Sequence, residues 1–388
     1  MALPKPIRVL HAFGSLGKGG VETWLMNIIR LRSDELQFDF FLGKLGEAYE
    51  EEARSYGCRI HQAPPVRQLG RITRVLEEVL RTNKYDVFHI HGDEFMGDAV
   101  KAAAKAGTPV RVVHSHNTKQ ARGKKGFEMK IRSVRRKTLE RYRILRYATD
   151  IVACSGDAGL YLMDRFWRRD SRSRVLYCGI PLEQFSLATT KWSRNEFRQA
   201  HGIPQDAIVV GHVGSMGPTQ QKNHPFIIDV FSKLARQNEK FHLYMAGDGP
   251  HRPALQQKVK DLGLQSRVTM PGLFDDVPSL VVHGFDVYLL PSFWEGLPVV
   301  GLEAVAGGLF TVCSDSITKE YTDVFPGRIA TLSVHASAEE WAKIVMEGVA
   351  KRISANDGVA ILQKSPFSIH DSLSTMLDIY KHRLQTYQ

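Results

Sequence analysis

The sequence predicts an α/β fold with parallel sheets, and three observations predict it. Short apolar strands alternate with amphipathic helical stretches along nearly the whole chain, the pattern of layered sheets with helices on their faces. That rhythm pauses once, around Gly179-Ile180-Pro181, so two domains of near-equal length are expected. Glycine-rich loops follow several strands directly, and open α/β sheets bind ligands beyond the carboxyl ends of their strands. A chain of 388 residues with 43% hydrophobic content has enough apolar material for two such cores.

In the first half, runs rich in β-branched and aromatic residues predict strands at Ile7–Ala12, Phe38–Leu42, Arg59–Gln62, Val87–His91, Val110–His114, Ile151–Cys154 and Arg174–Tyr177. Between them, apolar positions at helical spacing predict helices at Val21–Arg32, Leu69–Asn83, Asp98–Ala106 and Met129–Tyr147. Ser186–Lys191 reads as a polar linker. The second half predicts strands at Ile208–Val213, Phe241–Ala246, Val268–Met270, Val287–Leu290 and Phe310–Cys313, with helices at His224–Gln237, Arg252–Leu262, Val299–Ala306 and Ala338–Val349. A last amphipathic helix begins near Asp371. The expected division is 1–187 and 188–370, two Rossmann-like domains facing a cleft, then 371–388.

Four scattered cysteines (58, 154, 178 and 313) without a C-x-x-C pair point to reduced thiols and no cysteine zinc site. No apolar leader follows Met1, and the longest apolar run, Leu297 to Cys313, is broken by Glu303 and three glycines. A cytoplasmic location without a membrane span is therefore expected. The net charge of +11 is concentrated: Lys119–Arg146 holds twelve Lys and Arg against Glu128 and Glu140. Such a localised excess is either a solvated face or the footprint of an anionic partner. An anionic inner leaflet suits it, giving a peripheral membrane contact. No aromatic-interleaved motif accompanies it, so nucleic acid is not expected.

The run Glu295-Gly-Leu-Pro-Val-Val-Gly-Leu-Glu303 carries the most chemistry. Pro298 cannot continue a helix from its N-terminal side but fits the first turn of a new one. Glu295 then sits on a loop and Glu303 near a helix start, with the N–H groups of Val299 and Val300 between them free of helical partners and pointing outward, a seat for phosphate. A carboxylate on each side suits a ligand with hydroxyls at both ends and an anion in the middle, the form of a nucleotide-diphosphate sugar. Pro291-Ser-Phe-Trp-Glu-Gly-Leu-Pro-Val-Val-Gly-Leu-Glu303-Ala resembles the E-x7-E signature of retaining glycosyltransferases of the GT-B type, family 4. The bland alternative is two surface glutamates flanking a buried helix start.

Other motifs extend the resemblance. Gly14-Ser-Leu-Gly17-Lys-Gly19-Gly20-Val-Glu22 resembles the family's G-G-x-E/N turn, which implies that Gly19, Gly20 and Glu22 lie at the donor, Gly20 nearest its phosphate; an ordinary tight turn is the alternative. Gly211-His-Val-Gly214-Ser215 through Lys222-Asn223-His224 resembles the glycine-Arg…Lys-Asn loop that holds the pyrophosphate. Ser215 stands where the family has arginine, and a lone lysine lacks the bidentate grip; Lys18 and Lys44 are candidate substitutes. Met270-Pro-Gly272-Leu273-Phe274 resembles the loop that lies against the nucleobase. Gly296 and Leu297 join the implied donor contacts, and Trp294 could stack on a sugar face or pack in the core. His89-Ile-His91-Gly-Asp93 and His114-Ser-His116 end strands, so histidines two apart share a face. The resemblance implies that His116 stands at the acceptor side of the reacting sugar. Structural histidines and a metal site are the alternatives. No D-x-D triad is present, so charge neutralisation without a divalent ion or other cofactor is expected.

The resulting expectation is a retaining, metal-independent glycosyltransferase of the GT-B fold, its C-terminal helix crossing back to the N-terminal domain. It would move a sugar from a nucleotide-diphosphate donor, a UDP-sugar foremost, to a lipid-diphosphate or growing surface-polysaccharide acceptor. The implied catalytic residues are His116, Lys222 and Glu295. Glu303 would hold the ribose, and Gly214, Ser215, Asn223, Val299 and Val300 would line the donor. A weak or inactive nucleotide-sugar binder, and a histidine-metal hydrolase, stay open as alternatives.

Overall fold

The structure is a computed structural model that describes residues 5–65, 68–92, 95–118 and 127–387; for residues 69, 127–135 and 387 it describes the backbone alone. The chain forms two units. One runs to Cys178 and resumes at Ile369; the other is Gly179–Ser368. The division in sequence therefore falls at 178/179, upstream of 187.

The first unit is built on a parallel sheet of seven strands, in the order β3-β2-β1-β4-β5-β6-β7. They are β1 (Ile7–Phe13), β2 (Leu36–Leu42), β3 (Ile60–Gln62), β4 (Val87–His91), β5 (Val110–Ser115), β6 (Asp150–Ala153) and β7 (Ser173–Val175). All five residues of β4, His89 and His91 among them, are buried, as expected of a strand covered on both faces. The final helix, Ile369–Tyr387, belongs to this unit. Its Tyr380 hydroxyl pairs with His89 Nδ1 at 2.6 Å, and Arg383 Nε donates to both carboxylate oxygens of Asp150 at 3.1 and 3.0 Å.

The second unit has a parallel sheet of six strands in the order β10-β9-β8-β11-β12-β13. These are β8 (Ile208–Val213), β9 (Phe241–Ala246), β10 (Val268–Gly272), β11 (Val287–Leu290), β12 (Phe310–Ser314) and β13 (Ile329–Leu332). The helices His224–Gln237 and Ala338–Val349 close one face over Val210, Phe231, Leu243, Leu289, Val312 and Trp341. β13 was not expected from sequence, since Ile329–Leu332 is too short and too little buried to show a period.

The expected polar linker is also corrected. Ser186–Lys191 lies in the helix Glu183–Lys191, which buries Phe185 and Ala188. Two apolar positions three apart are enough to seat a short helix, although its composition is polar.

In each sheet the strand order reverses once, between β1 and β4 and between β8 and β11. Those reversals are where loops leave in opposite directions and a crevice opens at the strand ends. No helix among the described residues is long and apolar enough to cross a membrane.

Candidate functional site

In the second unit the site is built on the loops that follow β8 and β11. Beyond β8 the chain runs through Gly214–Gln221 to Lys222, and Asn223 takes a left-handed turn (φ 55°) into the helix starting at His224. Asparagine tolerates that conformation. Beyond β11 the chain runs through Pro291–Glu295 to the helix Val299–Ala306. The two loops are tied together: Phe293 N–H donates to the Gln221 carbonyl at 2.8 Å. Gln221 Nε2 donates to the Trp294 carbonyl at 2.8 Å and to Glu295 Oε2 at 3.3 Å.

Between the loops, Lys222 Nζ lies 2.8 Å from Glu295 Oε1, both side chains largely buried at 18% and 7% exposure. Glu303 is half-buried, and no hydrogen-bond donor among the described residues reaches its carboxylate. Dehydration raises its carboxyl to about 7, with the Lys222 ammonium pulling the other way. Tyr288, whose hydroxyl is held by the Val213 backbone, feels the charge of both glutamates. Lys222, Glu295 and Glu303 therefore come together in one place.

The free amides differ from expectation. Val299 N–H is engaged with the Leu297 carbonyl at 3.0 Å, because Pro298 at the helix entry (φ −79°, ψ 86°) folds the chain into a tight turn. Val300 N–H, and those of the buried Gly296 and Leu297, have no acceptor among the described residues. Buried amides without partners are uncommon in folded proteins. The amides left without an acceptor are thus those of Gly296, Leu297 and Val300, and not that of Val299.

The neighbouring strand ends form a continuous rim. Gly214 N–H donates to the Ala246 carbonyl at 2.9 Å and Gly247 N–H to the Gly272 carbonyl at 2.7 Å. A side chain on Gly214 would press on the stem of Lys222, 3.2 Å from its Cγ. Ser215 is exposed, and Leu273 is 58% exposed at the end of β10. Phe274 turns inward against His201, ring centroids 5.2 Å apart. Trp294 is half-buried beside Phe293. Gln221 was missed in the sequence, where an uncharged residue beside Lys222 carries no signal of its own.

In the first unit, Gly19 precedes the helix Gly20–Arg30, and the Glu22 carboxylate folds back over Gly19, so a side chain there would have to displace it. Burial, with a smaller push from the Glu47 charge and a backbone hydrogen bond pulling the other way, raises that carboxyl to about 6. Lys44 pairs with Glu47.

The strand-end histidines form one stack. His11, absent from the sequence reading, joins them because the register sets His11 opposite His89 and His91 opposite His114. His91 Nε2 pairs with His11 Nδ1 and His91 Nδ1 with His116 Nε2, each at 2.9 Å. His116 Nδ1 lies 3.6 Å from Cys178 Sγ. Both nitrogens of His116 are therefore engaged, and a sugar hydroxyl could take one only by displacing its partner. Burial lowers the His116 imidazole to about 3, so the ring is neutral. Asp93 and Glu94 lie outside the described residues, as does the start of the basic block, 119–126. Within the described part of that block, Arg143 pairs with Asp98 at 2.7 Å and Arg141 Nε donates to the Leu162 carbonyl at 2.8 Å, so these cations brace the fold.

Comparison with known proteins joins both halves. The family described as "Glycosyltransferase Family 4" matches residues 18–184, and "Glycosyl transferases group 1" matches residues 207–348. The chain is 33% identical over 379 residues to "Putative glycosyltransferase EpsF" of Bacillus subtilis (strain 168), covering 96% of each. It belongs to glycosyltransferase family 4. This family 4 glycosyltransferase is also 26% identical, over 62% of its length and 60% of the relative's, to the UDP-Gal:alpha-D-GlcNAc-diphosphoundecaprenol alpha-1,3-galactosyltransferase of Escherichia coli. Its fold is the GT-B fold: the Anabaena protein Alr3699/HepE, solved in complex with UDP, superposes with a TM-score of 0.75 at 18% identity, over 97% of this chain and 100% of the other.

Proposed function

We propose that this glycosyltransferase moves a sugar from a UDP-sugar to a lipid-diphosphate or growing surface-polysaccharide acceptor, with retained anomeric configuration and without a divalent ion. The observation that carries the reading is the Lys222–Glu295 pair beside a dehydrated Glu303 at the strand-order reversal of the second unit. The UDP bound by Alr3699/HepE and the diphosphoundecaprenol acceptor of the E. coli relative support the two substrate classes.

In this reading the donor diphosphate takes the Lys222 ammonium and the amides of Gly296, Leu297 and Val300. Glu295, released from Lys222, accepts hydrogen bonds from the transferred sugar, and Glu303 accepts them from the ribose. Leu273 and Phe274 flank the base. The donor C1–O bond breaks with its electron pair going to the diphosphate oxygen. The acceptor hydroxyl oxygen bonds to C1 on the same face, and its proton passes to the departing oxygen. Charge grows on the diphosphate as that bond stretches, so cations and amides aimed there favour the transition state over the ground state. The acceptor belongs to the first unit, near His116. The basic stretch 119–146 holds that unit at an anionic membrane surface.

Thermal stabilisation by a panel of nucleotide sugars tests the donor, since a ligand at 100 times its Kd adds about 2.7 kcal/mol. The anomeric coupling in the product NMR spectrum tests retention, and full activity in a chelator tests metal independence. Inverted product or abolition of transfer by the chelator rejects the mechanism. A second reading, a binder without transfer, is carried by Ser215, exposed where the family places arginine; it predicts stabilisation with no sugar release.

A further inference from the structure

Outside the donor site, the densest group of metal-ligating side chains is the histidine stack of the first unit. Strand register brings His91 and His114 side by side, and His116 follows two residues on, on the same face. One ring nitrogen from each of the three lies within 4.8 Å of the others. His91 Nδ1 and His116 Nε2 are 2.9 Å apart. His114 Nε2 is fully buried, and none of the described residues meets hydrogen-bond geometry with it, although the Leu176 backbone lies near enough to oppose the effect of burial on that ring. His11 Nε2 is a second such atom in the stack, and a buried unpaired polar group costs about 1–3 kcal/mol.

The opposite nitrogens complete the pattern. His91 Nε2 meets His11 Nδ1 at 2.9 Å, His114 Nδ1 meets His89 Nε2 at 3.2 Å, and His116 Nδ1 meets Cys178 Sγ at 3.6 Å. His89 Nδ1 passes the chain on to the Tyr380 hydroxyl at 2.6 Å. A ligating imidazole characteristically has its second nitrogen fixed by such a partner, which sets tautomer and ring orientation.

We propose that His91, His114 and His116 form a binding site for a borderline divalent cation of the Zn²⁺ class. The ligand nitrogens are His91 Nδ1, His114 Nε2 and His116 Nε2. The one proton now held between His91 Nδ1 and His116 Nε2 moves to the outer nitrogen of the ring that carries it as the ion enters, the other ring already bearing its proton on its own outer nitrogen. Imidazoles without a carboxylate in the set select Zn²⁺, Co²⁺ or Cu²⁺ over Mg²⁺ and Ca²⁺. His91 and His114 are buried and His116 half-buried, which leaves the His116 side as the way in. The site does not depend on the donor chemistry of the second unit.

The test is a Co²⁺ titration of the full chain, free of any affinity tag, read by visible absorption and followed by Zn²⁺ competition against a chromophoric chelator. One Co²⁺ per chain is expected, with the ligand-field bands of a low-coordinate imidazole site, displaced by Zn²⁺ and not by Mg²⁺. His114→Asn and His116→Asn should each weaken binding at least tenfold. NMR of the wild-type Co²⁺ protein should show three exchangeable, hyperfine-shifted imidazole N–H signals, a count that stands even if a variant does not fold. No saturable binding, binding unchanged in both variants, or the absence of those N–H signals overturns the site. None of these results bears on nucleotide-sugar binding, which is measured without added metal.

Discussion

The Lys222 ammonium and the Glu295 carboxylate, 2.8 Å apart and largely buried, are each other's charge partner in the ligand-free site. They come from loops on neighbouring strands, β8 and β11, where the strand order reverses. Under the proposed function, a diphosphate would take Lys222 and free Glu295 for the hydroxyl groups of the sugar, so the ion pair would be exchanged for donor contacts.

Lys222→Ala and Glu295→Gln should each lower kcat/KM at least tenfold, and the double variant should lose much less than the product of the two. Residues in contact are non-additive in this way. Lys222→Ala should also cost about 3 kcal/mol of stability, because it removes the charge partner of a buried carboxylate. Steady-state rates and urea melts of the three variants check both points. Independent, multiplicative effects on rate would reject the pairing.

The pH dependence follows from Glu303, whose carboxyl is held at about 7 in the folded chain against 4.5 when unperturbed. Between those values the folded state binds more protons than the unfolded one, so this group's contribution to stability falls as pH rises from about 4.5 to 7 and stays low above. Glu303→Gln should therefore be more stable than wild type near pH 8, on the order of 3 kcal/mol at most, with the advantage gone by pH 4.5. Thermal melts across that range decide it; a difference independent of pH would count against a dehydrated carboxyl. Donor affinity should rise with pH through 7 in the wild type and be flat in the variant.

Gln221 spans the two loops through the Trp294 carbonyl and Glu295 Oε2. Gln221→Ala should cost about 1 kcal/mol of stability, a typical hydrogen-bond contribution, and should reduce kcat more than it raises KM for the donor. An effect confined to stability would show that Gln221 positions nothing catalytic.

At Gly247 (φ 140°) a β-carbon would overlap the Gly214 carbonyl oxygen. Gly247→Ala should destabilise the second unit by more than about 2 kcal/mol, since the backbone is strained for other residues and the contact cannot relax without moving the Lys222 loop. An unchanged melting temperature would rule out that close approach.

The E-x7-E run, the Lys222-Asn223-His224 turn and the alternation of strands and helices could be read directly, because each is local: a period, a helix entry, a glycine turn. Most strands lie within a residue or two of where the pattern put them, apart from the short and half-exposed β13. What could not be read were relationships between segments. Lys222 and Glu295 are 73 residues apart, and nothing in either segment names the other. The resemblance implied His116 at the acceptor side of the sugar, but could not show that strand register sets His91 on one side of it and that Cys178 lies on the other. Val299 lost its free amide to a turn that depends on the backbone angles at Pro298.

The sequence by itself determined the family, the two parallel sheets and the chemical types gathered at their strand ends, since periodicity and glycine placement act over a few neighbouring residues. Only the tertiary structure decided which carboxylate the lysine neutralises, which is left dehydrated near neutrality, and which backbone amides stay free. Those outcomes depend on strand order and register, which bring distant residues within hydrogen-bond reach and exclude water from the carboxylate that finds no partner.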